Sequence, residues 1–526
     1  MVSNQFISGE YALLLIISAF IAIGLAAIQR SWMPSQRYPS SIQWVGRRVE
    51  RFSYFRACVR HFIYKPDLLD CGYKNFGKAG QGFVMPLSSF EPIVILPQEH
   101  IKWLIDQPAS VLCPRTAAVQ RMGFKYVSPD FDAQSSQIIH DAIRFHLNKK
   151  FDTLQSDMFK EMQWATDSRI GKDESWNQVN LADAMRYIIF HTLVPVLAGK
   201  CLSRNEDFTH ALMKSANWVG AGSIIVGQFI PVPFRSALGR LLQIPIRSIQ
   251  GSFLNHLMPV FKERLHNMRK KAEDPSFSFE APEDMTSWLS DVILKRNIED
   301  GAEKAFEKAY KLLLGAAFAS TVLTTNHAFL DILGSESAHS IYQTLREEAE
   351  STFATPEDWL DSMKIHQLRS TDSTLKESLR LAPPTSMTLL REVLSKDGVR
   401  LPNGQWLGQG TWLAVPSIPI HTDERFYEEP DMFRPFRFLS KEDPTGKQQS
   451  RPESCVTTSD SFLSFGHGRS ACAGRQFATH IMKMLVSYIT MHYDIQPLPS
   501  RPLNIFMGEH PIAPEVQVMI RRRVTP

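Results

Sequence analysis

Cys472 lies in the segment SFGHGRSACAGRQFA, Ser464 to Ala478, with Gly466, Gly468 and Gly474 around it. Glycine permits positive φ and lets another group approach the backbone closely. The residues after Cys472 follow a helical pattern. The sulfur is therefore expected at a helix start, where free N–H groups and the helix dipole favour a thiolate. A thiolate held in such a loop can serve as an axial ligand to iron. A lone cysteine in a turn is more often a buried structural thiol, so the loop alone leaves both readings open. The other cysteines, Cys58, Cys71, Cys113, Cys201 and Cys455, form no CxxC pair and are irregularly spaced. That argues against a disulfide framework or a zinc site and fits a reduced, cytosol-facing body.

Other segments carry chemistry at definite spacing. Glu377 and Arg380, in TLKESLRLAPP, stand at i and i+3 on one helix face, and Pro383-Pro384 ends that helix. Alone they read as an ordinary surface pair. Further on comes Phe433-Arg434-Pro435-Phe436-Arg437-Phe438. Leu312 to Leu333 reads LLLGAAFASTVLTTNHAFLDIL and is apolar on nearly every face. The pattern predicts a single helix through the middle of the protein. Arg391 follows the Pro-Pro segment, and Arg144 lies in the helical run HDAIRFHLNKKF.

In their order and spacing these segments resemble the cytochrome P-450 family. Phe465, Gly468, Cys472 and Gly474 match its Phe-x-x-Gly-x-x-x-Cys-x-Gly haem-binding signature. Glu377 and Arg380 before Pro383-Pro384 look like its K helix. The Phe433–Phe438 segment is similar to the one whose arginine completes a buried Glu–Arg–Arg network. The resemblance thus implies haem (heme b) held by the Cys472 thiolate and a structural network of Glu377, Arg380 and Arg437. Arg391, with Arg144 as second candidate, is implied to pair with the haem carboxylates. Ala316 to Thr321 aligns with the family's Ala-Gly-x-Asp/Glu-Thr-Thr stretch, which implies that the hydroxyls of Ser320 and Thr321 relay protons. The resemblance covers nearly the whole chain and is strongest to fungal membrane-bound members of secondary metabolism.

The activity so implied is a monooxygenase that oxidises a hydrophobic small molecule with O2. No GxGxxG fingerprint for flavin or nicotinamide is present. The resemblance implies electrons from an NADPH–cytochrome reductase, docked on the basic face around the cysteine loop. Phe318, Ala319, Thr385, Leu389, Phe506 and Met507 are expected to line an apolar substrate pocket suited to a polycyclic, terpenoid-like ligand. An alkaloid or polyketide fits the same lining. Three positions depart from the family pattern. Ser470 stands where Arg or His is usual, Ala319 replaces the usual acid and Ser320 the usual threonine. A haem protein that rearranges its substrate or closes a ring, or one that binds a ligand without turnover, is the alternative these departures leave open.

The elements that must position these residues are legible as patterns. The 526-residue chain is 44% hydrophobic, enough for a large core. Its net charge of +4 is spread without a long basic block, which makes nucleic acid a poor partner. Short β-like runs appear at Gly82–Met85 and Ile93–Leu96. Residues 135 to 380 read mainly as helix. Residues 386 to 418 turn β-like, with Asn403-Gly404 as a hairpin signal. A Pro-rich irregular stretch then leads to a last helix over about 473–491. The expected class is mainly α with a small β-sheet region (α+β). Tyr11 to Ile28 is uncharged, and roughly 18 helical residues reach about 27 Å, near a thin bilayer core. Arg30 and Arg37 follow it, which predicts a single-pass anchor in the endoplasmic reticulum membrane with the body in the cytosol. No other segment is expected to span. The expected division is an anchor over 1–29, a proline-containing linker over 30–45 and a catalytic domain over 46–526.

Overall fold

Helix starts are fixed locally by short polar side chains. Asp132, Asn180, Asn205 and Asp284 each accept a hydrogen bond from the backbone N–H three residues on, satisfying a donor that the first helical turn leaves open. The computed structural model describes residues 38, 39, 41–128, 132–439 and 453–524, with backbone only at 65–66, 115–118, 133 and 315–317. The expected anchor, most of its linker and part of the Pro-rich stretch lie outside the described residues.

The helices that matter for the site are α1 (Pro114–Arg121), α2 (Leu181–Ala198), α3 (Glu206–Gln228), α4 (Val232–Glu273), α5 (Ala302–Ala317), α6 (Ala319–Leu333), α7 (Arg369–Leu381) and α8 (Arg475–His492). The main sheet comprises β1 (Gln43–Trp44), β2 (Phe83–Met85), β3 (Ile93–Ile95), β4 (Leu112–Cys113), β5 (Met387–Val393) and β6 (Trp412–Pro416), in the order β1-β2-β3-β6-β5-β4. The mainly helical body with small sheets agrees with the expected class. The Asn403-Gly404 turn is present, with Gly404 at φ 85° between two short strands. One large cluster of buried side chains runs through the helices, and a second lies beneath the sheet.

Two expectations are corrected. The apolar run Leu312–Leu333 is two helices, not one, and α5 and α6 meet at Phe318. The break falls in a run of small residues around Phe318, Ala316-Ala317-Phe318-Ala319-Ser320. Two further segments, Leu181–Ala198 and Ala302–Leu333, are also long and apolar enough to cross a membrane. Their hydropathy has another cause: 83% and 73% of them are buried inside the protein, as expected for core helices that touch neighbours all round.

Strand β5 carries an irregularity that reaches the site. Its register on β6 shifts between Thr388 and Arg391, and Leu389 sits there at φ 53°. A left-handed backbone costs a non-glycine residue roughly 1–2 kcal/mol, so packing must hold it. Leu389 is buried, and its Cδ2 lies 3.9 Å from where a Cβ would stand on Gly466.

Candidate functional site

The end of α7 builds a buried polar cluster. Glu377 and Arg380 are both fully buried. Arg380 grips the Glu377 carboxylate bidentately, Nε to Oε2 and Nη2 to Oε1, each at 2.8 Å. Its remaining N–H donors go to the carbonyls of His421, Pro430 and Met432. Arg437 Nε donates to both Glu377 oxygens at 3.0 and 3.1 Å, and the Arg434 N–H adds a fifth contact at 3.0 Å. Every donor of Arg380 is used, which is the condition under which a buried ion pair is tolerated.

This cluster reaches the cysteine loop through a residue that motif reading overlooked. His421 is fully buried. Its Nδ1 lies 3.0 Å from the carbonyl of Arg380, and its Nε2 accepts the Leu463 N–H at 2.7 Å. Acceptance at Nε2 fixes the proton on Nδ1, so the ring is neutral. Burial pushes its pKa down to about 3. Ser464 Oγ makes a parallel tie to the carbonyl of Leu379 at 2.7 Å. Phe465 follows directly, and its carbonyl accepts the Cys472 N–H at 2.8 Å. No sequence motif marked His421, which ends the short helix Ser417–His421 after β6.

Around Cys472, Gly466 and Gly468 stand at φ 68° and 69°. A Cβ on Gly468 would approach Ile105 Cδ1 to 3.0 Å. Gly474 differs: its φ is −91°, and it caps α8. Cys472 is exposed. The backbone N–H groups of Gly474 and Arg475 donate to its sulfur and the Arg475 charge lies near it, yet desolvation by the surrounding protein dominates and pushes the thiol above its ordinary value. Two influences thus oppose each other at the sulfur: the N–H donors of the helix start favour the thiolate, as expected, and desolvation favours the thiol. A bound metal ion would deprotonate it outright.

The haem implied by the motifs can be tested against these residues. Arg391 is buried, 5% exposed, and burial lowers its pKa. Its hydrogen bonds go to its neighbour Leu390's carbonyl and to Ser470 Oγ at 3.4 Å. It forms no ion pair with a carboxylate among the described residues. A guanidinium so placed suits an anionic group such as a propionate, and Ser470, the departure from the family pattern, adds a hydroxyl beside it. The donors at the Cys472 sulfur suit a metal-bound thiolate. In α6, Ala319 and Ser320 are exposed between the buried Phe318 and Thr321, so the helix presents a short open face. The residues fit the group.

The remaining candidates are placed less tightly. Arg144 is exposed and lies over the ring of Phe145 at 5.5 Å. The neighbouring Asn148 reaches the loop instead, donating to the Ala473 carbonyl at 3.2 Å. Phe318 packs edge-to-face on Phe190 in the helical core. Thr385 turns its hydroxyl to the Met387 carbonyl. Phe506 and Met507 are adjacent in one strand of a hairpin, so they point to opposite faces. Phe506 lines a cleft of about 360 Å³ with Tyr73, Ser386 and Ile418.

The family model for the cytochrome P-450 proteins matches residues 135–519. Among relatives, the cytochrome P-450 monooxygenase polB of Polytolypa hystricis is 35% identical over 496 residues, covering 92% of this chain and 94% of that protein. The cytochrome P-450 monooxygenases lnaC of Aspergillus flavus and nodZ of Hypoxylon pulicicidum are each 31% identical. They cover 96% and 93% of this chain, and 96% and 93% of their own lengths.

Proposed function

The chain belongs to the cytochrome P-450 family and is one of its monooxygenases, and from that premise we propose that Cys472 is the thiolate ligand of its haem and that it oxidises a hydrophobic, terpenoid-like small molecule of secondary metabolism. The haem supplies the activation of O2 with electrons delivered from outside. The observation that carries the assignment of Cys472 is the chain of contacts from Arg380 through His421 and Leu463 to Phe465 and the Cys472 N–H. It fixes one cysteine loop, with two N–H donors on its sulfur, against the fully hydrogen-bonded Glu377–Arg380 pair. Cys455, by contrast, is fully buried and lies outside the glycine-lined loop.

In this reading Arg391 and Ser470 hold one haem carboxylate. Phe465 and Gly468 shape the loop, and Glu377, Arg380 and Arg437 keep it in place. Ser320, exposed on α6, would offer its hydroxyl for proton transfer, and the adjacent Thr321 a second one. Ala319, Leu389 and Met507 border the substrate. Lys149, Arg469 and Arg475, on segments that meet at the Ala473 carbonyl and the cysteine loop, supply a basic surface for an NADPH-dependent reductase.

Residues 1–29 are the membrane anchor in this reading, 30–45 the linker and 46–526 the catalytic domain, on the cytosolic face of the endoplasmic reticulum. Support comes from the helix Ser53–Ile63, which leaves Phe55, Val59, Phe62 and Ile63 exposed. Phe62 meets Phe229, in the turn between α3 and α4, at 5.8 Å. Leu241 and Ile244 on α4 are exposed as well. Such apolar surface suits contact with lipid.

The test is the spectrum of the reduced protein with carbon monoxide, which should show the red-shifted Soret band of a thiolate ligand. Cys472→Ala should lose that band. Labelled O2 should appear in the product; a product free of label would replace oxidation by a rearrangement.

A further inference from the structure

Two stretches of the sequence are poor in carboxylates. Between residues 40 and 66 Glu50 is the single acid, against Arg47, Arg48, Arg51, Arg56, Arg60 and Lys65. From residue 208 to residue 262, across most of α3 and α4, there is no Asp or Glu. The chain as a whole nearly balances, with 58 Lys and Arg against 54 Asp and Glu, so both stretches depart from it. Each also carries exposed apolar side chains. The fold joins the two where the ring of Phe62 meets that of Phe229 at 5.8 Å.

On the helix Ser53–Ile63, Phe55, Val59, Phe62 and Ile63 stand at i, i+4, i+7 and i+8 and form one exposed face. Arg56 and Arg60 flank that face and share Glu50, which leaves no acid of that stretch free. On α4, Arg240, Leu241, Ile244 and Arg247 lie on one exposed stripe at helical spacing. Arg240 Nε donates to the Ser236 carbonyl at 3.2 Å, and Arg247 Nη2 to Gln243 Oε1 at 3.2 Å. Arg48 and Arg51, just before the first of these helices, are exposed. None of these four arginines pairs with a carboxylate among the described residues. Arg235, by contrast, is buried against Glu91 and is not available.

Such a surface makes two demands at once. Exposed apolar side chains gain by leaving water, and guanidiniums gain from phosphate, which their planar fork matches. An acidic protein surface answers chiefly the second. A bilayer with anionic headgroups answers both, since the apolar side chains reach the acyl boundary while the cations stay among the headgroups. Resting on the reading above that this surface meets lipid, we propose that it selects anionic phospholipid. Arg48, Arg51, Arg240 and Arg247 gather headgroups such as phosphatidylserine around the apolar helix face. The selection is local. The attraction falls off within a Debye length, about 8 Å at physiological salt, so it acts on the lipids under the body and not on the bilayer at large.

The test uses the full-length haem-loaded protein in nanodiscs of mixed phosphatidylcholine and phosphatidylserine, with the first in excess. Photoreactive p-benzoylphenylalanine takes the place of Phe62, and mass spectrometry of the cross-linked lipid gives the ratio of the two. Phosphatidylserine should be enriched about fivefold over its bulk ratio at about 0.15 M salt, the gain for one lipid charge beside a guanidinium. At about 1 M salt the ratio should return to that of the bulk. The combined variant Arg48→Gln, Arg51→Gln, Arg240→Gln and Arg247→Gln changes exposed side chains only. It should keep the thiolate band with carbon monoxide and still cross-link lipid, now at the bulk ratio. Cross-linking at the bulk ratio with the four arginines in place, or enrichment that survives in the variant or in high salt, overturns the selection and leaves lipid contact standing. A protein that cross-links no lipid from position 62 overturns the reading that this surface meets the membrane, and the selection with it.

Discussion

His421 stands between two backbone groups 83 residues apart in sequence, with its Nδ1 on the Arg380 carbonyl and its Nε2 on the Leu463 N–H. It joins the Glu377 cluster to the cysteine loop. Replacing it with Phe keeps the ring and removes both bonds, leaving buried backbone groups unpaired. The cost is about 1–3 kcal/mol for such a group. The His421→Phe protein should fold with haem but convert its thiolate carbon monoxide band to a non-thiolate one at lower temperature than the native protein. Equal thermal midpoints of that conversion would mean the ring is only packing.

Acid should destabilise the protein well above the carboxylate range. Burial lowers the pKa of His421 and His480 to about 3, and of His191, His327 and His492 to about 4. Each is below its unfolded value near 6.5, so the unfolded chain binds protons the folded one refuses. The stability these neutral rings allow is complete above about pH 6.5 and falls as pH drops toward the folded values. The loss is up to about 1.4 kcal/mol per histidine per pH unit. The melting temperature should drop steeply between about pH 6.5 and 5; a flat profile over that range would contradict the buried neutral rings.

Arg437→Lys should weaken haem retention more than its retained charge suggests. The guanidinium spans both Glu377 oxygens and the carbonyls of Glu429 and Met432, and an ammonium cannot copy that fork. Glu377→Gln is expected to be worse, because it leaves Arg380 buried against a neutral amide, with a loss of about 3–5 kcal/mol. Haem content per folded protein, measured after gel filtration, should fall in the order native, Arg437→Lys, Glu377→Gln.

Ser320→Ala should uncouple the enzyme without stopping it. A neutral hydrogen bond is worth about 0.5–1.5 kcal/mol, roughly three- to tenfold in rate. Product formed per NADPH should fall and peroxide rise, with substrate affinity kept. Ser320→Thr should restore coupling. If all three quantities stay unchanged in the alanine variant, the hydroxyl is part of the core and the proton passes elsewhere.

Much of this site was legible before any coordinates, because its chemistry is written in contiguous motifs. Cys472 with its glycines, and Glu377 with Arg380 on one turn of helix, are local patterns. Arg437 could be paired with them only through family resemblance, since the fold closes the gap between them. His421 was missed because its function is to bond two backbone groups, and backbone groups leave no trace in side-chain patterns. The break at Phe318 was missed because hydrophobic periodicity reports which faces are buried and not whether an axis bends. For Cys472 the sequence reading named the helix dipole and the free N–H groups, whereas desolvation depends on everything packed around the sulfur and is not written in a local pattern. Phe506 and Met507 were grouped by proximity in sequence, although strand alternation separates them.

The left-handed backbone at Leu389 limits how the pocket could be remodelled. Its side chain borders Gly466 of the cysteine loop while its φ of 53° sets the bulge that precedes Arg391. Glycine and asparagine accept that geometry, whereas valine and isoleucine resist it. A change made there to resize the cavity would also turn the strand that carries Arg391. If Leu389 borders the substrate and Arg391 the cofactor, as proposed, selectivity and cofactor grip are linked across the two peptide units between them, and library design at position 389 should be filtered by backbone preference before side-chain volume.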